Sequence, residues 1–191
     1  MGAGRYEVAV REPGRDVGEV RRWTAEEIAR ALPWLKRANA RGRDVLIRPA
    51  AGEEGTLVLV GGLTAAKVEA MKAAGREPAA VVEAEPGQLQ AWVRVPACDA
   101  ARREAIGRQL AREQGVDLDP KNAVAGLYGR LAGFTNREAG DDRRQPWVLC
   151  RESSGREAHA GAALVKAAGQ RLEARARRAR ERGREREGLS R

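Results

Sequence analysis

The chain has 191 residues, 42 % of them hydrophobic, enough for one compact domain with a core and a short appendage. Lys and Arg number 36 against 27 Asp and Glu, a net charge of +9 that favours polyanionic partners. A single histidine and two distant cysteines, Cys98 and Cys150, argue against a histidine-based zinc site, a serine-histidine-aspartate triad and a disulfide scaffold.

Tyr6-Glu-Val-Ala-Val10 alternates and predicts a first strand. Pro13-Gly14 marks a turn, and Val20-Arg-Arg-Trp23 forms the second arm of a hairpin. Thr24-Ala-Glu-Glu27 is a capping box, so a helix follows with Ile28, Ala31 and Leu32 on one face. Pro33 is expected to stop or restart that helix. Asp44 to Arg48 predicts a strand closed by Pro49. Thr56-Leu-Val-Leu-Val60 is the most apolar run and reads as a central strand covered on both faces, with Gly61-Gly62 at its exit.

Thr64 caps a helix reaching about Ala74, closed by Gly75. Ala79 to Glu83 and Gln90 to Val95 predict a hairpin around Pro86-Gly87. Ala100 to Gly115 is helical, with Ile106, Leu110 and Ala111 in period. A polar loop with Asp117 and Asp119 follows, then the glycine-spaced stretch Gly129 to Arg137, and a last strand at Trp147 to Cys150. From about Gly161 the chain is helical and turns basic: residues 171–191 carry nine Arg and four Glu. The expected architecture is α+β, a mixed central sheet with flanking helices over residues 1–165, followed by a basic helical tail over 166–191.

The chemistry-bearing positions are few. His159 lies in a polar, Gly- and Ala-rich stretch and is expected to be exposed. Gly61-Gly62 does not open a P-loop, because Lys67 does not complete the Gly-x-x-x-x-Gly-Lys-Ser/Thr pattern. Asp117 and Asp119 suit a turn or cap, and Glu83 and Glu85 a hairpin tip or a cleft edge. Arg130, Thr135, Asn136 and Arg137, interleaved with Phe134, combine phosphate-gripping groups with an aromatic on which a base could stack. A structural loop is the competing reading of the same stretch. No leader or membrane-spanning run is visible, so a cytoplasmic protein with reduced thiols is expected.

Three blocks carry a family resemblance: Pro33 to Pro49 (Pro-Trp-Leu-Lys-Arg-x-Asn-Ala-x-Gly-x-Asp-Val-x-Ile-Arg-Pro); Gly75 to Glu83 with Gln90 to Val93; and Tyr128 to Arg137 with Gln145 to Leu149 and Arg151 to Ser153. In order and spacing they resemble the primase domain of broad-host-range mobilisable plasmids, the RepB-like and MobA-RepB-type primases related to archaeo-eukaryotic primases. The resemblance covers about residues 5–170. It implies a primase fold and magnesium-dependent primer synthesis on a single-stranded origin, alongside a plasmid helicase, initiator or relaxase. It also implies an Asp-Asp pair where this chain has Gly61-Gly62, and a histidine where it has Leu127. Asp119 matches a family acid and the remaining metal ligand, Glu83 is a candidate substitute, and Arg130 and Arg137 match the family motif. Hard cations need oxygen ligands, so losing two carboxylates removes most metal affinity. Three readings stand at this point: an active primase, an inactive relative that binds single-stranded DNA, and a protein-interaction module with a solvated basic tail.

Overall fold

The computed structural model describes residues 4–15, 18–50, 55–116, 128–139 and 145–188, with side chains described through Arg182. In chain order the elements are β1 (Tyr6–Arg11), β2 (Glu19–Trp23), α1 (Ala25–Ala40), β3 (Asp44–Pro49), β4 (Gly55–Leu63), α2 (Ala65–Ala73), β5 (Ala80–Glu85), β6 (Gln88–Cys98), α3 (Ala100–Glu113), β7 (Gly129–Arg130), β8 (Leu149–Glu152) and α4 (Gly161–Gly188). The α+β class is as expected. The strands divide into two four-stranded sheets, ordered β2-β1-β3-β7 and β4-β6-β5-β8. Every pairing between these strands is antiparallel.

The alternation of β1 places Tyr6, Val8 and Val10 in a core shared with Val45 and Ile47 of β3 and Leu35 and Ala38 of α1. Leu57, Leu59, Ala80 and Trp92 of the second sheet enter the same core, so it lies between the sheets. The opposite face of the second sheet, through Val58, Val60, Val81 and Val93, packs on α2, α3 and α4 by way of Val68, Met71, Ile106, Leu110 and Leu164.

The apolar run in β4 is therefore buried and doubly covered, but the strand lies at the edge of its sheet rather than in the middle. An all-apolar strand reports layers above and below it, not hydrogen-bonded neighbours on both sides. Its glycine pair lies inside the strand, at a register shift between Val60 and Leu63.

The capping box forms: the Glu27 amide donates to the Thr24 hydroxyl at 3.2 Å, and the Thr24 amide donates to the Glu27 carboxylate at 2.7 Å. Pro33 does not end α1. Its ring stands on the exposed face, while Ile28 and Ala31 before it and Leu35 and Ala38 after it hold both halves of the helix on the core. Trp34 meets Trp23 edge-on at 6.0 Å. The last strand begins later than expected: Trp147 only bridges Thr135, and the ladder with β5 starts at Leu149. Among the described residues no helix is long and apolar enough to cross a membrane.

Candidate functional site

The exit of β4 is where a carboxylate pair would be expected to hold metal. Gly61 has open space where a side chain would begin, but Gly62 sits at φ +67° and a Cβ there would lie 3.1 Å from a methyl of Val116. The exit is thus tight at its second position and carries no donor at either. Asp117, Asp119 and Leu127 lie outside the described residues. Among the described residues no three His, Cys, Asp or Glu side chains converge as a metal site.

Glu83 is not poised toward the β4 exit. Its register partner is Leu89, which in turn faces Leu63, so two strand spacings, roughly 10 Å, separate it from β4. Its carboxylate accepts the Gly87 amide at 2.9 Å and pairs with Arg151. The Gly87 amide first, and then Arg151, hold its carboxyl below the ordinary carboxylate value. The chemistry of this donor set does not fit a divalent cation: one oxygen closes a hairpin and the other neutralises an arginine.

The segment 128–139 closes the junction between the sheets. β7 pairs with β3 through Leu46–Arg130 and Ile47–Gly129. It also leans on β6, where the Arg130 amide donates to the Gln90 side chain at 2.8 Å. Only glycine fits at 129, since a Cβ there would meet the Trp92 ring at 2.7 Å. Beyond β7, Asn39 holds Thr135 from both sides, donating to its carbonyl at 2.8 Å and accepting its amide at 2.9 Å. Asn136 is buried and donates to the Ala84 carbonyl at 3.2 Å.

The predicted contact residues are turned inward here. Arg130 is only 8 % exposed; its guanidinium pairs with fully buried Asp44 and with Glu138. Burial pushes the Asp44 carboxyl up from its ordinary value, against the downward pull of the Arg137 amide and of Arg130. Phe134 lies in the core between the sheets at 3 % exposure, with no ring face left for a base. The Arg137 amide donates to Asp44 at 2.8 Å, and its half-buried guanidinium bonds the Gln145 side chain. Each guanidinium is taken up by partners that the fold brings to it: Asp44 and Glu138 for Arg130, Gln145 for Arg137. His159 is exposed, as expected, its amide donating to Glu77 at 3.0 Å.

One cluster was not singled out from the sequence. Glu7, buried in β1, accepts from Arg22 at 3.0 Å, from Arg48 at 2.7 Å and from the Tyr128 hydroxyl at 3.3 Å. The Arg48 guanidinium lies 4.4 Å above the Tyr128 ring. Burial is the main cause that raises the Tyr128 hydroxyl pKa. The available signal was a lone acid within the apolar run from Tyr6 to Val10, directly across from arginines in both neighbouring strands.

Two antiparallel sheets in face-to-face layers, with helices on the outer side of one, define a primase-type α+β domain. The fold is shared with the primase-polymerase domain of cyanophage S-2L at a TM-score of 0.55 and 16 % identity, over 89 % of this chain and 88 % of that one. The chain belongs to the RepB DNA-primase N-terminal domain family, whose model matches residues 4–174. It is similar to mobilization protein A of Escherichia coli, 49 % identical over 177 residues, which is 91 % of this chain and a quarter (25 %) of that protein. It is also similar to the catalytic domain of primase RepB′, whose crystal structure is in complex with initiator DNA. That match has a TM-score of 0.85 and 48 % identity, covering 93 % of this chain and 92 % of that one.

Proposed function

We propose that this chain is a plasmid-type primase domain that engages single-stranded origin DNA in replication or mobilisation, and that it binds DNA without synthesising primers. The observation that carries the second part is the β4 exit: the position of the family's acid pair holds Gly61-Gly62, and Gly62 adopts a backbone conformation that favours glycine. Binding is supported by the net charge of +9 and by the likeness to a catalytic domain crystallised with initiator DNA. A plasmid helicase, initiator or relaxase is the partner that such a domain would serve.

The deciding experiment incubates the chain with labelled origin DNA, nucleotides and magnesium. Binding that weakens as salt rises, with no extended product, is the expected result. Primer synthesis by the unaltered chain would overturn the loss of catalysis and would assign magnesium to Asp119 and its neighbours. Binding indifferent to salt would favour a protein-interaction module.

A further inference from the structure

α3 and α4 bring arginines together on one face of the domain. The helices share the core through Ile106 and Leu110 on one side and Leu164 and Ala168 on the other. Outside that contact they leave a groove of about 340 Å³, walled by Arg108 and Arg112 from α3 and by Arg171 and Arg175 from α4. At about 100° per residue, Arg171, Arg175, Arg178 and Arg182 fall within an arc of about 60°, a single stripe running out of the groove. Glu173 lies about 200° round the helix from Arg171, away from the stripe.

Within the groove the counter-charge is Glu104, and Glu181 stands about 60° beyond Arg178 at the edge of the stripe. Glu104 pairs with Arg108, and Arg171 donates to the Gln109 side chain at 2.5 Å. Arg112 donates from Nε to the Arg108 carbonyl at 3.1 Å. Among the described residues, Arg112, Arg175, Arg178 and Arg182 enter no ion pair, and all four are exposed. Cations aligned on one helix face repel, and an anion laid along them relieves that repulsion.

We propose that the α3–α4 groove and its arginine stripe bind the phosphodiester backbone of DNA. The inference rests on the reading of this chain as a DNA-handling domain and moves the contact surface away from Arg130 and Arg137. From Arg171 to Arg182 the stripe rises about 16 Å. That matches about five nucleotides of one duplex strand at 3.4 Å each. Guanidinium groups suit this role because their fork of donors fits phosphate oxygens.

The test uses the full chain, its Arg112→Gln/Arg175→Gln variant, and an Arg177→Gln/Arg180→Gln control that removes equal charge from the other side of α4. Each is titrated by fluorescence anisotropy against a single-stranded oligonucleotide and a hairpin, from about 50 to about 200 mM salt. Two lost contacts should flatten the log–log salt slope by about 1.8 on a duplex stem or about 1.4 on a single strand. With affinities converging at 1 M salt, this is a loss of about 60-fold or about 25-fold at 0.1 M. The probe showing the larger change identifies the source of the backbone. The control should change the slope by less than half as much, and melting temperatures should stay within about 2 °C, since these exposed positions carry no packing role. Wild-type binding that survives the groove variant, or falls equally in the control, overturns the groove and leaves the DNA-handling reading intact. A wild-type chain that binds neither probe overturns both.

Discussion

Replacing Arg130 by alanine tests whether the family-matching segment holds DNA or holds the fold. The Arg130 side chain is 10 % exposed and its partner Asp44 is 0 % exposed, so the substitution leaves a buried carboxylate facing an empty site. Breaking such a pair by removing one member costs about 3–5 kcal/mol. The pairing with Glu138, whose side chain is 32 % exposed, adds no more than about 1 kcal/mol. For a chain of this size each kcal/mol lowers the melting temperature by about 2–4 °C, so Arg130→Ala should melt about 6–20 °C below wild type. Adding Asp44→Asn to Arg130→Met should recover more than half of the loss, because the amide oxygen keeps the Arg137 N–H while the uncompensated charge is gone.

The effect also has a pH signature. Burial already raises the Asp44 pKa, and removing Arg130 takes away one of the groups that oppose this. A carboxyl whose folded pKa lies above its unfolded value contributes stability fully below that unfolded value, near 3.9. The contribution is lost as pH rises through the folded pKa. The gap between wild type and Arg130→Ala should therefore narrow from pH 7 to about pH 4. Calorimetry at several pH values, with DNA affinity measured in parallel, is the assay. An Arg130→Ala chain that melts within about 2 °C of wild type yet binds DNA more weakly would refute the reasoning, since exposed contacts change binding rather than stability.

Further substitutions test the neighbouring claims. Phe134→Ala should cost about 3–5 kcal/mol by opening the core between the sheets. Unchanged melting with lost single-strand affinity would instead mean that the ring stacks on a base. Aspartate should be tolerated at position 61, but at position 62 it should cost about 1–2 kcal/mol for the positive φ. If the double variant folds, calorimetric titration should show tighter magnesium binding than wild type, and primer assays a gain of product; a folded variant with neither would show that carboxylates here are not sufficient. Thr24→Ala should lower stability by about 1 kcal/mol, read as a fall of about 2–4 °C in thermal melting, through loss of the α1 cap.

The elements legible in the sequence were those set by local chemistry. The alternation of β1, the capping box at Thr24 and the turn at Pro86-Gly87 each act within a few residues, and each appears where expected. Pro33 misled because proline's local penalty was outweighed by core contacts on both sides of it. At the candidate site, Gly61-Gly62 was readable as a pair without carboxylates, and the family words drew attention to the segment from Tyr128 to Arg137. The direction of its side chains was not readable. Arg130 meets Asp44 across 86 residues, a contact made by topology alone. The α3–α4 groove was invisible for the same reason, since two ordinary basic helices become one surface only after they pack.

β7 contains two residues, yet it is stitched to both layers: its backbone pairs with β3, Gly129 is pressed on Trp92 and the Arg130 amide is held by Gln90. A rivet of this kind removes the freedom of the sheets to hinge or slide past one another. Local opening of one layer strips the other of its partners, so the cheapest excursion involving β7 is unfolding of both together. The two sheets therefore move as one block around β7.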